Sequence, residues 1–371
     1  NIDIATATAR GILVMNAPGE NSLAAAEHAF ALLLALSRNL GPASLRMREG
    51  EWNKEGLMGV ELCGKTLGVV GMGRIGREVA ARGKAFRMRV LAHDPFLPDE
   101  VAAKMGVEKV ELDALFVEAD FLTLHAPLTD KTRHMVGADA FSKCREGLRV
   151  VNCARGGLVD EAALLEAIES GKVAGAALDV FEEEPLPADS PLRNNPKLLL
   201  TPHLGASTSE AQEKVAKRIA EQIAAYLNEG SIQNAVNLFS IDPEQAVLLD
   251  PWLQLADGIG RMHAVLAKGS LEEVSVEISG TVLALPGSPL VAGVLQGLLS
   301  GVLSREVNLV NAVSSAEEYG LKLAEVRGPD PEGYLGLLKV RVGGDGGERQ
   351  RYVDAQHQAE RHYETHRGER P

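Results

Sequence analysis

The segment that most restricts what this chain can become runs from Lys65 to Gly76: Lys-Thr-Leu-Gly-Val-Val-Gly-Met-Gly-Arg-Ile-Gly. A short apolar run enters a turn with glycine at 71, 73 and 76, and helix formers follow through Phe86. Each glycine has its own physical task. Gly71 allows the tight turn, Gly73 clears space for a close backbone approach, and Gly76 lets helix and strand pack together. A helix that starts there, at Arg74 and Ile75, offers unpaired N–H groups and the positive end of its dipole to an anion such as a pyrophosphate. Asp94 closes the next apolar run, Arg89–Asp94, 18 residues after Gly76. A carboxylate at that distance can accept from the hydroxyls of an adenosine ribose and repels a 2′-phosphate, which favours NAD over NADP. The plainer alternative for Asp94 is a strand-end residue that starts a turn before Pro95.

The rhythm around this segment is strand, then helix, repeated. Expected strands are Thr66–Val70, Arg89–His93, Phe121–Leu124, Arg149–Cys153, Gly175–Asp179 and Lys197–Leu200, with helices such as Arg74–Phe86 and Glu161–Ser170 between them. Short apolar strands alternating with helices predict an α/β fold, a doubly wound parallel sheet of the Rossmann type covered on both faces. Upstream, Gly11–Met15 reads as a buried strand, Asn21-Ser22 as a cap for an apolar helix over Ala24–Ser37, and 39–59 as irregular. Downstream, Ser207–Asn228 reads as a long helix. From 241 the rhythm changes: helix Trp252–Ala267, alternating strand Glu273–Ser279, helix Pro289–Leu303, and strands Leu321–Val326 and Tyr334–Val342. The expected domains are therefore a substrate-domain remnant (1–15), a dinucleotide-binding domain (16–205), a return helix and linker (206–240), a C-terminal accessory α/β domain (241–343) and a disordered tail (344–371).

Composition narrows the partners. With 38 basic against 51 acidic residues, a net charge of −13, the chain repels nucleic acid and anionic membranes. No apolar run reaches the ~18 residues that a membrane span needs. Three scattered cysteines without a CxxC pair give neither a disulfide framework nor a zinc site, so no metal is expected and a reducing, cytoplasmic setting is. A small anionic substrate fits if basic residues gather locally.

Three segments fall where loops should leave the carboxyl ends of strands, the edge at which ligands bind in open α/β sheets. They are Asn152-Cys-Ala-Arg-Gly-Gly157, Leu178-Asp-Val-Phe-Glu-Glu-Glu-Pro185 and Pro202-His-Leu-Gly-Ala-Ser-Thr208. Hydride transfer at a hydroxy acid needs an imidazole-like proton carrier, a carboxylate to hold its tautomer, and a guanidinium to clamp the substrate carboxylate. His203, Glu184 and Arg155 can fill these roles. Each also has an ordinary alternative: a structural histidine, a solvated acidic loop and a surface ion pair. His125, at the end of a strand, could line the cofactor site, and His28, on a helix, is a weaker candidate.

These motifs, in this order, resemble those of the D-2-hydroxyacid dehydrogenases. The resemblance covers about Asn16 to Asn237 and rests on Gly71–Gly76, His93-Asp-Pro95, His125-Ala-Pro127, Asn152–Gly157, Ala177–Phe181 with Glu184-Pro185, and Pro202–Thr208. Glu210-Ala-Gln212 places it nearest the branch that oxidises 3-phosphoglycerate, and Val307-Asn-Leu-Val-Asn-Ala312 supports a likeness of 241–345 to the accessory α/β domain that follows the catalytic core in longer members. The resemblance implies NAD-dependent conversion of 3-phosphoglycerate to 3-phosphohydroxypyruvate, the first step of serine biosynthesis. It assigns His203, Glu184 and Arg155 to catalysis. It also lines NAD with Gly71, Gly73, Arg74, Ile75, Gly76, Asp94, Ala126, Cys153, Ala154, Arg155, Asp179, His203, Gly205 and Ala206. Ala126 departs from the threonine frequent in the family, which removes a possible hydrogen bond but leaves the backbone. The resemblance further implies a homodimer or homotetramer, loosely a dimer arm at Glu49–Met58, and a leading substrate domain of which the chain carries only the end. Alternatives are a glyoxylate or hydroxypyruvate reductase on the same scaffold, and a non-enzymatic, NAD-sensing corepressor.

Overall fold

Every side chain of Thr66–Val70 is buried in the computed structural model, as expected of a strand covered on both faces. The structure describes residues 2–267, 270–329 and 335–344. The expected disordered tail lies outside them, apart from Gly344. The chain divides into two compact units, one of residues 19–216 and the other of residues 1–18 with 217–371.

The second unit opens the chain with helix α1 (Ile4–Ala9), capped by the Asp3 carboxylate at the Thr6 N–H. The 19–216 unit then begins with α2 (Ser22–Ser37), whose residues Ala26, Ala29 and Leu33 are almost fully buried. Asn21 stands at its N-cap without a side-chain hydrogen bond to the helix. Helix α3 (Leu40–Arg48) occupies a stretch expected to be irregular. Gly41 and Pro42 look like breakers, but they fall in the first turn, where a missing N–H removes no helical bond. Asn39, in the left-handed region at φ 52°, turns the chain into it.

The alternation then proceeds as β1 (Thr66–Val70), α4 (Arg74–Ala85), β2 (Arg89–His93), α5 (Asp99–Met105), β3 (Glu108–Lys109), α6 (Leu112–Glu118), β4 (Phe121–Leu124), α7 (Ala138–Lys143), β5 (Leu148–Asn152), α8 (Glu161–Glu169), β6 (Val173–Leu178) and β7 (Leu198–Leu200). These seven strands form one sheet in the order β3-β2-β1-β4-β5-β6-β7, with every pair parallel. The chain winds outward from β1 in both directions, so the carboxyl ends of β1 and β4 flank the switch point where such sheets bind ligands. One core, around Leu122, Val150 and Leu164, fills one face of the sheet. The other, around Leu33, Leu67 and Val79, joins α2 and α4 to the opposite face.

Helix α9 (Ser209–Glu229) carries the chain out of this unit. In the second unit, α10 (Pro243–Leu266) starts nine residues before the sequence suggested, because Asp242 and Gln245 form a reciprocal capping box. Pro251 lies inside the helix rather than at its start. Its lost bond falls on the carbonyl of Val247, an exposed residue, so water can replace the missing donor. Strand β8 (Glu273–Gly280), helix α11 (Gly287–Ser300), helix α12 (Ala312–Tyr319), strand β9 (Lys322–Arg327) and strand β10 (Gly336–Gly343) complete the unit. The sheet order is β10-β8-β9, antiparallel on the β10 side and parallel on the β9 side. Helices α10 and α11 meet through glycine. A Cβ on Gly297 would lie 2.0 Å from the Asp257 carbonyl oxygen, and one on Gly260 would lie 2.1 Å from that of Val294.

The strand expected over Gly11–Met15 does not form. Gly11 turns at φ 69°, the Ile12 N–H folds back to the Ala7 carbonyl, and only Met15 pairs, in an isolated antiparallel bridge with Ala235. The Asn237 side chain takes the place of a neighbouring strand: its Oδ1 accepts from the Val14 N–H and its Nδ2 donates to the Ile12 carbonyl.

Candidate active site

The glycine turn has the geometry its sequence requires. Gly71 lies at φ 91°, and a Cβ there would stand 2.7 Å from the His125 carbonyl, so the ends of β1 and β4 touch through backbone. A Cβ on Gly76 would lie 2.0 Å from the Gly71 carbonyl oxygen. Around the Cβ position of Gly73 there is open space. Gly73 is also the N-cap of α4, and as a glycine it supplies no side-chain cap to the first turn of the helix. The Arg74 guanidinium lies across Gly19, where a Cβ would clash with Nη1.

Asp94 sits half-buried beyond β2. Its Oδ2 accepts from the Met72 N–H at 2.7 Å and its Oδ1 from the Phe96 N–H at 2.8 Å. Each oxygen keeps a lone pair, so the carboxylate can still accept from two hydroxyls. A turn open at Gly73, a helix start whose N-cap is glycine and a fixed carboxylate with spare acceptor capacity together fit the pyrophosphate and ribose of a dinucleotide. Ala126 is half-buried beside the turn, its N within 2.8 Å of where a Gly71 Cβ would be. His125 is tied by Nε2 to the Thr123 hydroxyl at 2.9 Å, while its buried Nδ1 has no partner. Burial lowers its pKa to about 4.

The loops after β5, β6 and β7 hold the other candidates. His203 Nδ1 and Glu184 Oε2 are 2.7 Å apart, and Glu184 Oε1 accepts from the Phe181 N–H at 3.0 Å. His203 is exposed and lies at φ 56°, a left-handed backbone that a non-glycine residue holds only when its surroundings fix it. Arg155 is also exposed, and its Nη1 donates to the Ala154 carbonyl. Its loop is pressed against the Glu184 loop, since a Cβ on Gly156 would meet the Phe181 carbonyl oxygen at 1.6 Å. Asn152 braces the same turn, its Nδ2 donating to the Arg155 carbonyl and its Oδ1 accepting from the Ala154 N–H.

Asp179 is fully buried, and its carboxylate is crowded with donors. Oδ1 accepts from the Thr201 hydroxyl at 2.6 Å and the Leu204 N–H at 2.7 Å, and Oδ2 accepts from the Gly205 N–H at 2.9 Å. His28 Nε2, from α2, is 3.1 Å from Oδ1. Ala206 is half-buried just beyond this loop. Cys153 lies beside the cluster, with potential ligand atoms of His28, Cys153 and Asp179 all within 4.8 Å of one another. Burial, reinforced by Asp179, pushes the Cys153 thiol well up, so the sulfur keeps its proton. His28, Thr201 and Asp179 are joined by hydrogen bonds, with the protonated Cys153 sulfur beside them.

Neither Thr201 nor the part played by His28 was foreseeable from local sequence. His28 lies 151 positions before Asp179, on a helix whose apolar neighbours give it the look of a packing residue.

The chain matches the family model of the D-isomer specific 2-hydroxyacid dehydrogenase NAD binding domain over residues 30–205. It matches that of the D-3-phosphoglycerate dehydrogenase intervening domain over 248–355. It is 45% identical to the D-3-phosphoglycerate dehydrogenase of Archaeoglobus fulgidus over 348 residues, 94% of this chain and 66% of that one. The chain thus spans just under two thirds of that relative's length. Among solved structures, the apo D-lactate dehydrogenase of Escherichia coli aligns with a TM-score of 0.59 and 34% identity, covering 64% of this chain and 74% of that one. A glyoxylate reductase from Paecilomyes thermophila aligns with a TM-score of 0.58 and 37% identity, covering 63% and 71%. By its nucleotide-binding unit, with its glycine turn and seven-stranded parallel sheet, the chain belongs to the D-isomer specific 2-hydroxyacid dehydrogenases.

Proposed function

We propose that the whole protein oxidises 3-phosphoglycerate to 3-phosphohydroxypyruvate with NAD, the first step of serine biosynthesis. The observation that carries this reading is the His203–Glu184 contact at 2.7 Å, held on the sheet edge that also bears the glycine turn. A carboxylate can only accept, so this contact keeps a proton on His203 Nδ1 and leaves Nε2 with a free lone pair. Nε2 then takes the proton of the substrate's 2-hydroxyl, and Glu184 stabilises the imidazolium that results. NAD, when bound, supplies the hydride acceptor. Arg155 has guanidinium donors to spare beyond its bond to Ala154 and clamps the substrate carboxylate. In the reverse direction the protonated His203 acts as the acid.

The glyoxylate reductase likeness favours a second reading, reduction of glyoxylate or hydroxypyruvate by the same residues. It covers 63% of the chain, whereas the match to the Archaeoglobus phosphoglycerate enzyme covers 94% and so takes in the accessory unit. That difference favours the phosphoglycerate substrate. NADH formation from 3-phosphoglycerate and NAD, by the protein carrying the additional sequence its relatives have, tests the choice. Turnover is expected with 3-phosphoglycerate, and a fall of about a thousandfold in His203→Ala with NAD affinity kept. Turnover with glyoxylate or hydroxypyruvate alone would replace the substrate assignment.

We infer also that the protein works as a homodimer or homotetramer in the cytoplasm. Leu40, Leu45, Met47, Trp52 and Met58 are all more than half exposed within one short stretch, an apolar surface that association would cover. Sedimentation that shows a monomer at micromolar concentration would overturn the assembly. No helix among the described residues is long and apolar enough to cross a membrane, and Cys63, Cys144 and Cys153 are free thiols.

A further inference from the structure

We propose that His28 is a positioning residue for His203, acting through Asp179 and Thr201. The proposal rests on the reading of His203 as the proton carrier.

Proton bookkeeping assigns the donors. The Thr201 hydroxyl has one proton, and at 2.6 Å from Asp179 Oδ1 that proton goes to the carboxylate. The Thr201 oxygen is therefore left to accept at its second contact, 3.2 Å from His28 Nε2. Nε2 of His28 carries a proton and shares it between Thr201 Oγ1 and Asp179 Oδ1, the latter at 3.1 Å. Its ring is only one-fifth exposed, so this bridge is largely shielded from water.

The consequence reaches His203 through the backbone. Three successive N–H groups, those of His203, Leu204 and Gly205, converge on Asp179, the first on its carbonyl and the others on its carboxylate. This convergence holds His203 at φ 56° and presents its Nδ1 to Glu184. A fully buried carboxylate without its full complement of donors repacks to find others. Removal of the His28 donor shifts Asp179 and Thr201, and the loop that hangs from them moves with them. An exposed imidazole separated from its carboxylate no longer has a fixed tautomer.

The test combines His28→Leu, which keeps bulk and removes the donor, with His28→Gln, which restores an N–H donor. Thr201→Val cuts the same node from its other side. Long-range nitrogen–proton NMR correlations of labelled histidine report the His203 tautomer without any need for turnover, and NAD titration checks that each variant is folded. Wild type and His28→Gln are expected to show the Nδ1–H tautomer. His28→Leu and Thr201→Val are expected to show a tautomer mixture, with kcat down about tenfold or more at little change in NAD affinity. The Nδ1–H tautomer persisting in His28→Leu and Thr201→Val would overturn the proposal, whatever happens to kcat. A tautomer that responds to His28 in a protein inactive on every hydroxy acid tried would sink the functional reading and leave the coupling standing. An unresponsive tautomer in an active enzyme would do the reverse.

Discussion

His125 should make the nucleotide-binding unit acid-sensitive over a definite window. Its backbone carbonyl packs against Gly71, and its ring is bonded to Thr123 by Nε2 and closed to water at Nδ1. Burial lowers its pKa from 6.5 to about 4. Above pH 6.5 neither the folded nor the unfolded chain protonates this ring, and the full stability is present. As the pH falls below 6.5 the unfolded chain takes up a proton that the folded chain refuses until about pH 4, so stability drops across that interval. A gap of two to three pK units at 1.36 kcal/mol each corresponds to about 3 kcal/mol, of which about 2 kcal/mol is lost by pH 5. Against a total of ~5–15 kcal/mol for a domain, the loss is large enough to measure. His125→Gln removes the titration and keeps an amide within reach of Thr123. Urea unfolding of both proteins from pH 7.5 to pH 4.5, followed by amide exchange in β1 and β4, separates this group from the general acid response. The wild type should lose about 2 kcal/mol more than the variant by pH 5. Parallel losses in the two proteins, or an NMR titration of His125 near 6.5, would refute the reasoning.

Two further predictions follow from the same geometry. Gly73→Ala places its methyl in open space and should fold with a stability change under about 1 kcal/mol, yet weaken NAD binding in calorimetric titration; Gly76→Ala, forced against the Gly71 carbonyl, should lose both. In the native protein only Cys63 should react quickly with a thiol reagent at pH 8: Cys144, pushed up to about 11 by burial, and Cys153, pushed higher still, should react only after denaturant is added.

What could be read from the sequence follows how local each cause is. The parallel sheet was legible because its central strands β1 and β4 are fully buried apolar runs, whereas the exposed edge strand β3, Glu108-Lys109, carries no such signal; the glycine turn was legible because its spacing is a backbone requirement. The His203–Glu184 pairing could be proposed only by chemical role and resemblance, since 19 positions along the chain say nothing about convergence. Helix α3 was hidden because Gly41 and Pro42 break helices everywhere except in a first turn. The start of α10 lay ahead of the helix expected over Trp252–Ala267 because its signal is the Asp242–Gln245 capping box. The segment around Gly11–Met15 has the composition of a strand, but its partner groups come from Asn237, more than two hundred positions away. His28 and Thr201 share that difficulty: their importance lies in proton assignments that exist only once the loops have met.

Asp94 carries a consequence for how such a protein could change its coenzyme. An exchange of this acid for a neutral or basic residue is the obvious route towards a phosphorylated dinucleotide, since the charge that repels the extra phosphate disappears. Here the same carboxylate stitches the glycine turn to the loop after β2, through the N–H groups of Met72 and Phe96. On the proposed reading of Asp94 as the ribose-binding acid, selectivity and turn geometry share one side chain, and relaxing the first loosens the second. A short side chain with a hydroxyl or amide oxygen would preserve part of the stitch, whereas a long basic one would preserve none. A lineage or an engineer seeking the switch must first rebuild the turn, and the route runs through Asp94→Asn or Asp94→Ser before any positive charge is introduced.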